Sequence, residues 1–313
     1  MRLAVLGAGS VGRAVVDLAS EYGHTVTAVA DSGSAVVDAD GVDAEAVLAR
    51  KREDDVVGDG DPSHALSTDY DVLVEATPTT LGDAEPGFGH VRGALETDRH
   101  VVLANKGPVA ERYDAVRALA DESAGSLRFE ATVGGAIPAL ATIEGVGPSR
   151  VTAARGVLNG TANFVLSRMA AEGLDYEHVL AEAQDLGVAE ADPTFDVDGT
   201  DAALKCAILA NVIHGGGYSL ADVDVEGITA IPPSALDLAA EEGQTVRLVG
   251  EVTGDDVRVG PRLVPEHGTL AVTGTTNIVQ LETEHAGRLN LSGQGAGGAA
   301  TASAVLADVN RLD

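Results

Sequence analysis

Residues 2–18 read RLAVLGAGSVGRAVVDL, and this stretch decides the fold of the first half of the chain. Arg2 to Leu6 is a short apolar strand, Gly7, Gly9 and Gly12 stand in G-x-G-x-x-G spacing, and Ala14 to Leu18 carry a helical pattern. In that strand–turn–helix context each glycine has a task. Gly7 permits the tight turn, Gly9 lets backbone approach a pyrophosphate, and Gly12 lets helix and strand pack closely. The helix N-terminus, with Ser10 and Val11 in its first turn, then faces the phosphates. The stretch predicts a dinucleotide-binding unit.

Working outward, a second strand over Thr25 to Ala30 ends at Asp31, 19 residues after Gly12. A carboxylate there accepts hydrogen bonds from ribose hydroxyls, favouring NAD and repelling a 2′-phosphate. Lys51 and Arg52 follow, either folding back onto such a phosphate or forming a solvated helix end, so NAD and NADP both stay open. Residues 53–69, rich in Asp and Gly, read as a surface connection. A strand over Asp71 to Thr77 is stopped by Pro78, which leaves Thr77 at its carboxyl end, the edge where open parallel sheets bind ligands. A helix near 90–97 and a strand over Val101 to Ala104 place Lys106 on the same edge. A helix over Tyr113 to Ser123 and a strand over Leu127 to Ala131 complete a β/α alternation, which implies right-handed crossovers and a parallel sheet.

Past residue 131 the pattern changes. A glycine-rich turn over Thr132 to Pro138 precedes a strand near Arg155 and a helix whose start, Asn159, Thr161 and Asn163, can cap itself or hold a small carboxylate. Residues 190–205, EADPTFDVDGTDAALK, run from an acidic, proline-broken loop into a helix with Asp201 and Lys205 four positions apart on one face. That face is otherwise apolar through Leu204, Ile208 and Val212, so the two charges need each other or a polar ligand. A structural pair is the plain alternative. Lysine usage favours chemistry: only Lys51, Lys106 and Lys205 occur among 20 basic residues, and lysine, unlike arginine, can lose its proton when desolvated. Strands near 246–252, 257–264 and 278–282 with short turns suggest an antiparallel α+β domain. A second glycine-rich stretch, Gly293 to Gly298, leads into a final helix. The expected architecture is α/β, with a Rossmann-type dinucleotide-binding domain over 1–131, a helix at about 296–313 returning to it, and an α+β domain over 132–295.

Composition bounds the partners. A length of 313 residues favours two domains, and a formal charge of −29, spread along the chain, repels nucleic acid and anionic lipid. Few lysines and aromatics with many acids suggest a salt-rich, screening cytosol. No apolar run approaches a membrane span, and the chain begins directly on a strand, so a cytoplasmic location is expected. The single Cys206 excludes an internal disulfide and reads as a small core residue.

Taken together, these motifs resemble the homoserine dehydrogenases. The likeness runs through GAGSVG at 7–12, ANKGP at 104–108, EATVGGAIP at 130–138, GVLNGTANFVLSRM at 156–169, LGVAEADPTFDVDGTDAALK at 186–205 and GQGAGGAATASAV at 293–305. The resemblance implies NAD- or NADP-dependent interconversion of L-homoserine and L-aspartate 4-semialdehyde, a step toward threonine, isoleucine and methionine, by a homodimer built through the second domain. It implies Lys205 as proton donor and acceptor paired with Asp201, and Glu190 binding the substrate amine with Asp196 sharing that duty. Lys106 becomes a contact to cofactor and substrate and a rival acid/base, and Thr77 and Gly295 become cofactor contacts. It also implies a monovalent cation, Na⁺ or K⁺, at Glu130 and the backbone of Val133, Gly135 and Ile137. Ending at Asp313, the chain is expected to lack the regulatory domain of longer members. The chemistry agrees, because hydride transfer to an aldehyde builds negative charge that an ammonium stabilises and then protonates. Two other classes compete at this point: an aspartate-semialdehyde dehydrogenase, which needs a thiolate nucleophile, and a non-catalytic dinucleotide sensor, which needs no lysine pair.

Overall fold

The computed structural model describes every residue except Asp255 and Asp313. The chain divides into two compact units, one of residues 1–136 with 296–313 and one of residues 137–295.

The first unit is built on six strands: β1 (Arg2–Leu6), β2 (Thr25–Ala30), β3 (Ala35–Val37), β4 (Val72–Glu75), β5 (His100–Leu103) and β6 (Leu127–Arg128). Their order is β3-β2-β1-β4-β5-β6, parallel throughout except for the antiparallel β2–β3 pair. Leu3, Val5, Val72, Val74 and Val102 are fully buried, as strands covered on both faces require. The chain fills the sheet outward from β1 to β3, then returns to the other side of β1 to lay down β4 to β6. That reversal opens a crevice beyond the carboxyl ends of β1 and β4. Helix Gly298–Val309 packs into the same core through Ala302, Val305, Leu306 and Val309, and Asp308 Oδ2 accepts the Glu130 N–H at 2.8 Å.

The second unit is a sheet of β7 (Val151–Val157), β8 (Asp224–Val225), β9 (Gln244–Thr253), β10 (Asp256–Pro265), β11 (Thr276–Thr283) and β12 (Gly287–Gln294). The order is β12-β11-β7-β9-β10-β8, antiparallel except for the short β10–β8 pair. Helix Thr200–His214 packs on β9 and β10 with all but three of its residues buried, so it is a core helix rather than an amphipathic surface one. Gly250 makes that approach feasible, since a Cβ there would stand 2.4 Å from Cys206 Sγ.

Several expectations change. Leu127 to Ala131 is not one strand: β6 ends at Arg128, and Ala131–Gly134 is already a helical turn. The connection over 53–69 buries Val57 and Ala65 and contains the helical turn Ser63–Leu66, because alternating polar and apolar residues still found one buried side. β3, β12 and helix Tyr176–Asp185 give weak sequence signals. β12 is an edge strand whose Gly293 breaks its alternation, and its exposed side chains are mostly polar.

The tightest contact in the first unit predicts a sharp phenotype. A Cβ on Gly12 would lie 1.7 Å from the Gly7 carbonyl oxygen. Gly12→Ala is expected to cost about 1–3 kcal/mol through overpacking and to abolish dinucleotide binding, checked by thermal melts and reduced-cofactor fluorescence titration.

Candidate functional site

The crevice of the first unit is a cavity of about 1120 Å³ whose lining includes Gly7, Gly9, Ser10, Val11, Asp31, Lys51, Thr77 and His90. Gly7 holds φ at +98°, and a Cβ there would stand 2.3 Å from the Ala76 carbonyl oxygen, so the glycine turn lies directly against the end of β4. Asp31 is organised before any ligand arrives. Its Oδ1 accepts the N–H groups of Gly33 (2.9 Å) and Ser34 (2.7 Å) and the Ser34 hydroxyl (2.9 Å), and its Oδ2 takes Lys51 Nζ at 2.8 Å. Burial opposes ionisation of this carboxyl, but Lys51 and the three other donors outweigh it and hold the pKa below the ordinary value. Lys51 also reaches Asp55 Oδ1 at 2.7 Å. Lys51 and Arg52 therefore part company, because Arg52 lines a neighbouring hollow with Ser10 and Arg13. Gly12 supports the turn from behind and is not among the described lining residues. Lys106 is partly buried in the turn after β5, where its N–H donates to Thr79 Oγ1 at 3.4 Å, and it also stands outside that lining.

In the second unit Lys205 and Asp201 are both buried. Lys205 Nζ donates to Asp201 Oδ2 and to the Leu158 carbonyl, each at 2.6 Å. An ammonium has three N–H donors, so with these two partners among the described residues one remains for a ligand. Asn159 is the hinge of the cluster. Its Oδ1 caps helix Gly160–Glu172 by accepting Ala162 N–H at 2.8 Å, while its Nδ2 donates to Asp196 Oδ1 at 2.6 Å and Asp201 Oδ2 at 2.9 Å. Two carboxylates are thereby held beside one ammonium. Burial raises the Asp196 pKa, aided by the Asp201 charge and opposed by Asn159 and Lys205. Asn277 on β11, which nothing in the local sequence singles out, donates Nδ2 to the same Leu158 carbonyl at 2.9 Å. Gly295 is needed there, since a Cβ would fall 1.9 Å from Asn277 Nδ2.

Other predicted residues are spread more widely. Glu190 is exposed in the loop before Pro193, and its carbonyl receives Gln184 Nε2 at 3.2 Å. Glu130 is buried with its carboxylate 3.6 Å from Arg311 Nη1; Val133 follows in a helical turn, Gly135 holds φ at +56°, and the Ile137 carbonyl accepts Ala139 N–H at 2.8 Å. Thr161 and Asn163 donate from their side chains to backbone carbonyls, at Val188 and at Val272, Gly274 and Thr276 respectively. Cys206 is fully buried, and burial pushes its thiol up to about 12, which removes it as a nucleophile at neutral pH. No helix among the described residues is long and apolar enough to cross a membrane.

A glycine-turn cavity at the switch point of a doubly wound sheet, with a buried lysine–aspartate pair in a second unit, defines an NAD(P)-dependent oxidoreductase. Comparison with known proteins narrows the class. The family profile described as homoserine dehydrogenase matches residues 138–309, and that of the glutamate/leucine/phenylalanine/valine dehydrogenases matches residues 1–78. The homoserine dehydrogenase of Methanocaldococcus jannaschii is 37% identical over 99% of this chain and 97% of its own. A crystal structure of a putative homoserine dehydrogenase from Archaeoglobus fulgidus superposes with a TM-score of 0.92 at 40% identity, covering 99% of this chain and 98% of that one. A hyperthermophilic archaeal homoserine dehydrogenase in complex with NADPH matches with a TM-score of 0.86 at 26% identity, covering 99% and 96%. The chain belongs to the homoserine dehydrogenase family.

The raised pKa of Asp196 has a measurable signature. A carboxyl with a raised folded-state pKa costs stability above that pKa, and the cost vanishes below the unfolded value of 3.8. Asp196→Asn is therefore expected to raise Tm at pH 7, with the gain shrinking as the pH falls toward 4, in melts across that range.

Proposed function

We infer that this chain catalyses the NAD(P)-dependent interconversion of L-homoserine and L-aspartate 4-semialdehyde, on the way to threonine, isoleucine and methionine. The observation that carries the reading is Lys205, buried with two of its N–H donors committed and one left. The nicotinamide supplies hydride exchange with the substrate carbon when bound. Lys205 supplies the proton: its third N–H faces the oxygen that gains charge as the aldehyde is reduced, and its amine takes the hydroxyl proton in the reverse direction. Asp201 and the Leu158 carbonyl fix the lysine's direction, and Asn159 keeps Asp201 in place. Asp196 and Glu190 supply anionic partners for the substrate ammonium. Lys106 and Thr77, on the carboxyl edge of the first sheet, are assigned to the cofactor, as is Gly295. Ser10, Val11 and the glycines of the turn bind the pyrophosphate. The buried thiol of Cys206 disfavours an acylating semialdehyde dehydrogenase, and the buried lysine disfavours a mere sensor.

The finer assignments belong to the same reading. Residues 1–136 with the last helix form the dinucleotide-binding domain, and 137–295 form the catalytic domain, through which two copies pair in a salt-rich cytoplasm. Lys51 neutralises Asp31, so a 2′-phosphate is tolerated, and Lys51→Ala is expected to lower the NADP-dependent rate more than the NAD-dependent one. A monovalent cation at Glu130, Val133, Gly135 and Ile137 would appear as faster turnover in potassium or sodium chloride than in choline chloride at equal ionic strength.

The deciding experiment is the initial rate of homoserine-dependent reduction of NAD and NADP in molar potassium chloride at mildly alkaline pH. Lys205→Ala is expected to lower kcat by about 10²–10⁴-fold with cofactor affinity kept. Ordinary turnover by Lys205→Ala together with an inactive Lys106→Ala would transfer the acid/base role to Lys106. Folded, cofactor-binding protein with no turnover of homoserine would overturn the substrate assignment.

A further inference from the structure

The first unit holds a carboxylate that the chemistry above does not use. Glu75, the last residue of β4, is fully buried. Its Oε1 accepts the Thr77 N–H at 2.9 Å, the Thr77 hydroxyl, and Asn105 Nδ2 at 3.3 Å, and its Oε2 lies 2.7 Å from His90 Nδ1. These donors come from three elements: the loop after β4, the loop after β5, and helix Gly87–Leu95 between them. Asn105 passes the constraint on, since its Oδ1 accepts Gly107 N–H at 2.9 Å and so closes the turn that carries Lys106. A buried carboxylate is costly unless its lone pairs are filled. Here the lone pairs are filled just behind the ligand cavity, where one carboxyl group ties together three elements, two of which line the cavity through Thr77 and His90.

His90 is the member of this cluster that carries a second polar atom to the rim. Its side chain is 23% exposed and lines the cavity with Thr77, Pro78 and Thr80. The other groups that meet Glu75 are all donors, so the carboxyl group acts as an acceptor throughout and His90 Nδ1 donates to its Oε2. In the neutral ring Nε2 then presents a lone pair. The two ends of the cavity are distinct: Asp31 and Lys51 stand beyond β2, where the adenosine ribose belongs, and Thr77 and His90 stand beyond β4, on the other side of the glycine turn.

We propose that His90 positions the nicotinamide half of the dinucleotide, its Nε2 accepting a hydrogen bond from a ribose hydroxyl or carboxamide N–H, with Glu75 fixing the tautomer that makes Nε2 an acceptor. The proposal rests on the dinucleotide reading of this cavity and not on the identity of the second substrate. His90 touches the cofactor; Glu75 acts through His90, Thr77 and Asn105 and is a positioning residue.

Two substitutions separate this role from packing. Asparagine can place its amide nitrogen where Nδ1 lies, so His90→Asn keeps the Glu75 contact and loses the reach of Nε2. Glutamine can place an acceptor at that reach. Titration of NADH and NADPH into the full-length protein without homoserine should give a Kd about tenfold weaker for His90→Asn, about 1.4 kcal/mol, with Tm nearly unchanged. His90→Gln should stay within about threefold of the parent. Glu75→Gln, whose amide donates to Nδ1 and turns Nε2 into a donor, should weaken binding like His90→Asn, and the double variant should be no weaker than His90→Asn alone. A His90→Asn protein that is folded and binds both cofactors within about twofold of the parent would overturn the proposal, as would additive losses in the double variant. Should Glu75→Gln not fold, the Asn and Gln comparison at His90 decides by itself. Loss of homoserine turnover with these affinities unchanged would strike only the substrate assignment.

Discussion

The second unit depends on the Lys205 ammonium being matched inside an apolar core. Helix Thr200–His214 is buried nearly all round, so a charge on it is tolerated only where partners are built for it. Asp201 supplies the opposite charge from one turn earlier, and Leu158 supplies a carbonyl from the end of β7. Each partner is secured in turn: Asn159 holds Asp201, and Asn277 holds the Leu158 carbonyl. The geometry of β7, β11 and two helices is thus tied to one nitrogen atom. Removing any one link leaves a buried polar group without its partner, which costs more than the link itself contributes.

The first unit solves the opposite problem, since it must receive negative charge rather than bury positive charge. In a chain of formal charge −29, the cavity is lined by the glycine turn and the start of its helix, and the acid at its rim, Asp31, is already paired with Lys51. Glu75 is withdrawn below the rim and saturated with donors. Surface acids stay in solvent, where screening makes them tolerable, while two of the three lysines are placed beside acids at the two sites. Lys51 and Lys205 each sit within 3 Å of a carboxylate oxygen, at 2.8 and 2.6 Å.

Much of this was legible in the chain. G-x-G-x-x-G between a strand and a helix carries its own geometry, and the alternation of strands and helices through residue 128 follows from it. Asp201 and Lys205 could be paired because four residues along a helix are neighbours whatever the tertiary structure does. The same local logic marked Asn159, Thr161 and Asn163 as a helix start able to cap itself, and the structure gives the cap to Asn159. It missed β12 and β3, since edge strands lack the buried alternation that marks central ones, and it carried the last strand of the first sheet three residues too far, to Ala131 rather than Arg128.

The sequence by itself determined the two-part α/β architecture, the dinucleotide turn and the lysine–aspartate pair, because each rests on contacts between residues close along the chain. Only the tertiary structure decided how Lys205 is held and how Glu75 gathers its partners. Leu158 is 47 residues from Lys205 and 119 from Asn277, and Asn105 is 30 from Glu75. Hydrogen bonds over such separations have no period to betray them; they exist only once sheets bring the strand ends together.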